Sequence, residues 1–152
     1  MADKKVFVVF GATGNQGGSV INAVLGDPKT ASAFQIRGIT RDPSKPNAKA
    51  LEARGVECVA ADINNKDQIE AAFKGAYAVF AMTNYWEKMD GELEMQQGRN
   101  IADLAKVSRV LRVSSLHGQH LKNHARRCID IRRSGSRCSA SYLVFPARHH
   151  QA

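Results

Sequence analysis

Three glycines, Gly11, Gly14 and Gly17, recur every third residue in Gly11-Ala-Thr-Gly-Asn-Gln-Gly17. Glycines in this pattern do a specific kind of chemistry, the binding of an anion by main chain alone. Gly11 permits a tight turn. Gly14 lets the backbone approach phosphates with no Cβ in the way, and Gly17 lets a following helix lie close to the preceding strand. The N-terminus of that helix adds unpaired N–H groups and a partial positive charge. The anion so implied is the pyrophosphate of a dinucleotide, with Thr13, Asn15 and Gln16 in the same turn as further binding residues.

For this to work the turn must join a strand to a helix. Val6-Phe-Val-Val-Phe10 is a short apolar run suited to a buried strand over 5–10, and Val20, Ile21, Val24 and Leu25 have helical spacing over about 15–26. The same alternation continues. Strands are expected at 34–40, 56–61, 76–82 and 110–114, with helices at about 47–54, 67–74 and 91–107 and stops at Asp27-Pro28, Gly55 and Gly75. Repeated βαβ units of this kind predict an α/β fold, a Rossmann-like doubly wound parallel sheet, incomplete at about five strands. In such a sheet ligands lie over the carboxyl ends of the strands, which gathers the loops beginning at Gly11, Thr40, Asp62, Thr83 and Ser114 around one crevice.

The end of the second strand selects the cofactor. An acid there would accept bonds from the adenosine ribose and repel a 2′-phosphate. This chain has Thr40-Arg41 instead. Arg41 can clamp a phosphate through charge-assisted bonds, Thr40 can add a hydroxyl, and Lys45 adds screened attraction; the alternative is an arginine solvated in a turn. NADP(H) is therefore the expected cofactor. Asp62-Ile63 either frames the adenine or forms the cap of a short turn. Thr83, Asn84 and Tyr85 bring polar and aromatic groups to the nicotinamide side, or else pack.

The formal charge of +8 is unevenly placed. Residues 1–107 hold 13 basic and 13 acidic side chains, whereas residues 108–152 hold nine basic ones against Asp130 alone. All five histidines also follow residue 116. The expected organisation is a nucleotide-binding domain over 1–116 and an Arg/His/Ser-rich tail over 117–152, basic and poorly ordered because it has little to bury. Cys58, Cys128 and Cys138 show no metal-ligand spacing and suggest free thiols in a reducing compartment. No apolar run approaches the length of a membrane span, and Met-Ala-Asp-Lys-Lys lacks the core of a signal peptide.

Gly11-Ala-Thr-Gly-Asn-Gln-Gly-Gly-Ser19, Thr40-Arg41-Asp-Pro43, Gly75-Ala-Tyr77, Thr83-Asn-Tyr-Trp-Glu87, Gln97-Gly98 and Ala102-Asp-Leu-Ala105 together resemble the NmrA-like family, atypical relatives of the short-chain dehydrogenases. The likeness covers about residues 4–116 and looks nearest to redox sensors of that family. It implies an NADP(H)-binding regulator that changes protein partners, such as a transcription factor or a metabolic enzyme, with the cofactor's redox state. It also implies a longer chain with a smaller second domain. Two departures stand out. The helix over 91–107 should be followed by a Gly-Val turn, where this chain has Val107-Ser-Arg-Val110. The family's Phe-Asp-x-Lys segment is also absent, with Ile131-Arg132-Arg133 at about that distance. An Ile-Arg pair and a Phe-Asp pair can be written by the same bases one position apart, so the tail reads as truncation followed by an out-of-frame or alternatively spliced segment. An evolved basic tail is the alternative.

A competent short-chain dehydrogenase needs a Tyr followed four positions later by a Lys, the Lys lowering the pKa of the Tyr that delivers a proton. Tyr77, Tyr85 and Tyr142 are followed at that spacing by Ala81, Met89 and Pro146. The expectation is thus a redox sensor in transcriptional regulation, with no catalytic residues and no metal. The alternatives are a reductase of the isoflavone-reductase type and a nucleic-acid-binding arm in the tail, the latter weakened by having one Tyr and one Phe for stacking. A cytoplasmic location, extending to the nucleus, and poor solubility or a homodimer at the open sheet edge complete the expectations.

Overall fold

The computed structural model describes residues 4–82, 91–110, 112–116, 127–130 and 140–141, the last three stretches as backbone. Strand β1 is Lys5–Phe10, followed by helix α1, Asn15–Gly26, and a short α2, Pro28–Ala33. Then come β2 (Phe34–Thr40), α3 (Pro46–Glu52), β3 (Glu57–Ala60), α4 (Lys66–Phe73) and β4 (Ala76–Met82). Helix α5 is Gly91–Val107, and the strands β5 (Arg112–Leu116), β6 (Arg127–Asp130) and β7 (Ala140–Ser141) follow.

The strand order is β3-β2-β1-β4-β5-β6-β7. The first five are parallel, in agreement with the doubly wound sheet expected. Chain direction across the sheet reverses at β1, since β1 to β3 step one way and β4 and β5 the other. The crevice of the fold therefore opens between the carboxyl ends of β1 and β4.

Successive strand residues point to opposite faces, and Val8 and Val9, both fully buried, begin the two halves of the core. Val8 and Phe10 meet Ile69 and Phe73 of α4 and Ile101 and Ala105 of α5. Val9 meets Ile21 and Val24 of α1, Leu51 of α3 and Phe80 of β4. Phe10 and Phe73 meet edge to face with centroids 5.9 Å apart.

Several boundaries depart from expectation for physical reasons. Asp27-Pro28 ends α1 but also starts α2, because the Asp27 carboxylate accepts the Lys29 N–H at 3.1 Å and Pro28 fits the first helical turn. Strand β5 begins at Arg112 rather than 110 because Val110 is still held by the turn that closes α5. Its N–H reaches back to the Ala105 carbonyl (2.9 Å), the Arg109 N–H reaches Lys106 (3.2 Å), and Arg109 adopts φ 55°. This is the helix stop that glycine usually makes, as Gly55 does after α3 with φ 85°. Ser114 and Ser115 consequently lie within β5, paired with Phe80 and Ala81, and not in the loop after it.

The sheet also continues two strands beyond the five expected. Strand β6 pairs antiparallel with β5, and β7 antiparallel with β6. A strand edge presents main-chain N–H and C=O groups to any extended segment, so this pairing requires no particular side chains and left no compositional sign.

Candidate functional site

The first strand, the glycine turn and α1 form one tightly packed unit. Gly11 takes φ 61°, a left-handed conformation that favours glycine, and its N-terminal neighbour Phe10 ends β1. The Gly14 N–H donates to the Gly11 carbonyl at 2.9 Å, closing the turn, and Gly14 is the N-cap of α1 with φ −90° and ψ 174°. A Cβ on Gly17 would stand 2.2 Å from the Gly11 oxygen and 2.8 Å from the Phe10 oxygen. Only hydrogen fits there, so the helix start sits directly on the strand end. No side chain caps α1 and no acid stands in its first turn, leaving its positive end open to an anion. Thr13, Asn15 and Gln16 are exposed beside it. A Cβ on Gly11 would meet Met82 Cε at 3.0 Å, which sets the turn against the end of β4, across the switch point.

The neighbouring loops are tied to this turn through main chain. The Ala12 N–H donates to the Ile39 carbonyl (3.2 Å), and the Ala61 N–H to the Thr40 carbonyl (3.1 Å). Thr40 Oγ1 accepts the Asp42 N–H at 3.4 Å, and Arg41 is exposed on the same turn. Asp42 Oδ1 accepts both the Ser44 hydroxyl (2.6 Å) and the Ser44 N–H (2.9 Å), which hold the carboxyl below its usual range, with Lys45 helping. One acid beside Arg41 is thereby kept ionised and folded back onto its own turn.

Asp62 turns out to be occupied by its own loop. Its Oδ1 accepts the Asn64 main-chain N–H and the Asn64 Nδ2, both at 2.8 Å, while Asn65 caps α4. These bonds give one oxygen of Asp62 a place in its own turn, and Ile63 is half-buried against the core. Thr83, Asn84 and Tyr85 lie outside the described residues. The structure thus brings the Gly11–Gly17, Thr40–Arg41 and Asp62–Ile63 segments to one edge of the sheet.

Asn64 was not among the site residues anticipated. It accepts a bond from Gln97 Nε2 at 2.8 Å, and Gln97 is only 8% exposed on α5. The available sign was a pair of amides, Gln97 and Asn100, on a helix face otherwise formed by Ile101, Leu104 and Ala105. Cys58 is a free, half-buried thiol whose pKa is pushed up, chiefly by burial and then by Glu52, which disfavours the thiolate. Among the described residues no three His, Cys, Asp or Glu side chains gather as a metal site would require, and no helix is long and apolar enough to cross a membrane.

The model of the NmrA-like family matches residues 3–126, past residue 116 where the resemblance of motifs stops. The chain belongs to the NmrA-like family. It is 42% identical over 106 residues to the NmrA-like family domain-containing oxidoreductase cpsB of Aspergillus campestris, covering 67% of this chain and 30% of that protein. It is 38% identical over 112 residues to the corresponding oxidoreductase ptmS of Penicillium ochrochloron, covering 70% and 32%. This NmrA-like chain therefore spans about a third of the length of the relatives it matches.

Among solved structures, the triphenylmethane reductase of Citrobacter sp. complexed with NADP(H) superposes with a TM-score of 0.61 at 27% identity, covering 73% of this chain and 36% of that one. The NADPH-dependent quinone oxidoreductase QOR2 of Escherichia coli, complexed with NADPH, gives 0.58 at 28%, covering 72% and 35%. The negative transcriptional regulator NmrA gives 0.61 at 24%, a likeness of fold, covering 74% and 33%.

Proposed function

We propose that this chain is the cofactor-binding part of an NmrA-like protein and that it takes NADP(H) in preference to NAD(H). The observation that carries the reading is the contact at Gly17, where a single Cβ would strike the main chain of Phe10 and Gly11. A helix held that close to a strand end, uncapped and without an acid in its first turn, suits a phosphate-bearing anion such as a pyrophosphate. The residues present fit the cofactor. Gly11, Thr13, Gly14, Asn15, Gln16 and Gly17 would hold the pyrophosphate, Thr40 and Arg41 the 2′-phosphate, Asp62 and Ile63 the adenine side, and Thr83, Asn84 and Tyr85 the nicotinamide side.

When bound, the cofactor supplies a transferable hydride. The residues of this chain bind and orient it, and none of its three tyrosines has the lysine partner needed to deliver a proton. The favoured role is therefore sensing, with the cofactor's redox state selecting a protein partner, a transcription regulator or a metabolic enzyme. A reductase is the second reading. It is favoured by the oxidoreductase names of the relatives and by the two reductases among the structural neighbours. NADPH consumption with carbonyl or quinone substrates by a longer form separates the two.

Calorimetric titration of NADPH and NADH into wild type and Arg41→Ala tests the cofactor assignment. Charge-assisted bonds are worth about 1.5–3 kcal/mol each, so loss of Arg41 is expected to weaken NADPH at least ~10-fold and leave NADH nearly unchanged. Equal wild-type affinity for the two cofactors removes the role of Arg41. No binding of either removes the assignment.

A further inference from the structure

A buried amide is costly unless bonded, and Gln97, buried on the face of α5 that carries Ile101 and Ala105, has its bond from Nε2 to Asn64 Oδ1 at 2.8 Å. That bond joins residues 33 positions apart in sequence. Asn64 passes the constraint on, because its own N–H and Nδ2 both donate to Asp62 Oδ1 at 2.8 Å. The Asp62 N–H in turn donates to Gln68 Oε1 at 2.8 Å, on the first turns of α4. Four polar residues from α5, the β3–α4 loop and α4 thus form one connected chain. Fixing one carboxylate oxygen of Asp62 fixes the direction of the other, and Ile63 between them is pinned against the core. Without the Gln97 bond the loop would lose its hydrogen-bonded tie to α5, keeping the Asp62–Gln68 bond, its turn contacts and the packing of Ile63.

We infer that Gln97 is a positioning residue for nucleotide binding: acting through Asn64, it sets the conformation of the Asp62–Asn65 loop at the adenine side of the crevice. The inference rests on the cofactor reading above. Gln97 itself touches no ligand in this scheme. Its helix begins at Gly91, after the segment that holds Thr83, Asn84 and Tyr85 in sequence, and the Gln97–Asn64 bond joins it to the Asp62–Asn65 loop.

The test is calorimetric titration of NADPH, NADH and 2′,5′-ADP into wild type, Gln97→Met, Asn64→Ala and the double variant, with thermal unfolding alongside. Each single change is expected to weaken all three ligands about threefold to tenfold, as loss of one hydrogen bond allows. The double variant should be no weaker than the worse single one, since both remove the same link. The NADPH-to-NADH ratio should not move, because Thr40 and Arg41 set it. A merely structural role would lower the unfolding temperature and leave the affinities within twofold of wild type, and that result overturns the inference. Should Gln97→Met fail to fold, Asn64→Ala carries the test alone, its side chain being exposed. Wild-type protein that binds none of the three overturns the cofactor reading and this inference together, whereas wild-type binding with unaltered variants overturns this inference only.

Discussion

Replacing Gly17 by alanine adds one methyl group to α1 and sets two effects against each other. Alanine is the better helix former by about 0.8–1 kcal/mol, which favours the variant. The new Cβ, however, would lie 2.2 Å from the Gly11 oxygen, 2.6 Å from the Gly11 carbonyl carbon and 2.8 Å from the Phe10 oxygen. All three are backbone atoms of β1 and its turn, so no flexible side chain can yield. Relief requires α1 to move by roughly 1 Å from a strand packed through Val9 against Ile21 and Val24, and overpacking of this kind costs about 1–3 kcal/mol or more.

The neighbouring position supplies the control. A Cβ on Gly18 meets only the Ala12 oxygen, at 3.7 Å, an ordinary contact, so Gly18→Ala should collect the propensity gain with no clash. Thermal unfolding followed by circular dichroism should place Gly17→Ala below wild type and Gly18→Ala above it. A gap of about 2 kcal/mol corresponds to roughly 4–8 °C in a chain of this size. Gly17→Ala should also lose NADPH affinity, because the helix start moves with the shift. If it melts at or above Gly18→Ala, the close-approach reasoning is wrong.

Two further predictions concern Arg37, near the amino-terminal ends of β3 and β4, and Asp42, on the turn after β2. The Arg37 guanidinium bonds Glu57 through Nε at 2.9 Å and, through Nη1, the carbonyls of Ala72 and Lys74 at 2.9 Å each. Arg37→Met keeps the stem and strands the two carbonyls, so urea unfolding should register a loss of about 1–3 kcal/mol, whereas Glu57→Gln, at a 47% exposed side chain, should cost under ~1 kcal/mol. The depressed pKa of Asp42 arises first from the Ser44 hydroxyl and then from the Ser44 N–H, so its stabilisation is present above the ordinary carboxyl pKa and is lost as pH falls through the lowered value. Carboxyl titration by NMR should find Asp42 shifted upward in Ser44→Ala, and any stability difference from wild type should vanish in the acid range; a pKa unmoved by the substitution would sever Ser44 from the effect.

Local signals were legible in the sequence wherever one stretch of chain settles its own conformation. The glycine turn marked the end of β1 and the start of α1 because the steric demand falls on the glycines themselves. The amphipathic period from 91 to 107 gave the bounds of α5. Helix α2 was missed because Asp27-Pro28 carries a stop and a start in the same two residues. Strand β5 was placed early because Arg109 performs a turn usually assigned to glycine, and its side chain gave no hint of a left-handed backbone. The pairings of β6 and β7 and the bond from Gln97 to Asn64 are contacts between distant parts of the chain. Neither periodicity nor composition encodes such a contact, and only the fold brings the groups within reach.

The strand order has a consequence for how this chain folds. Strand β1 precedes both of its neighbours, β2 and β4, in the chain, and they arrive at very different times. Its pairing with β2 follows soon after, whereas its pairing with β4 joins Val6 to Ala76 and Val8 to Val79, a closure of about 70 residues whose entropy must be met before the contact stabilises anything. Until β4 emerges one long edge of β1 has no partner strand, and the apolar face of Val8, Phe10 and Ile39 has no cover from α5 until residues 91–107 follow. The nascent chain therefore passes through an interval in which its most central strand is also its most adhesive surface, and collisions with other chains compete with folding for that edge.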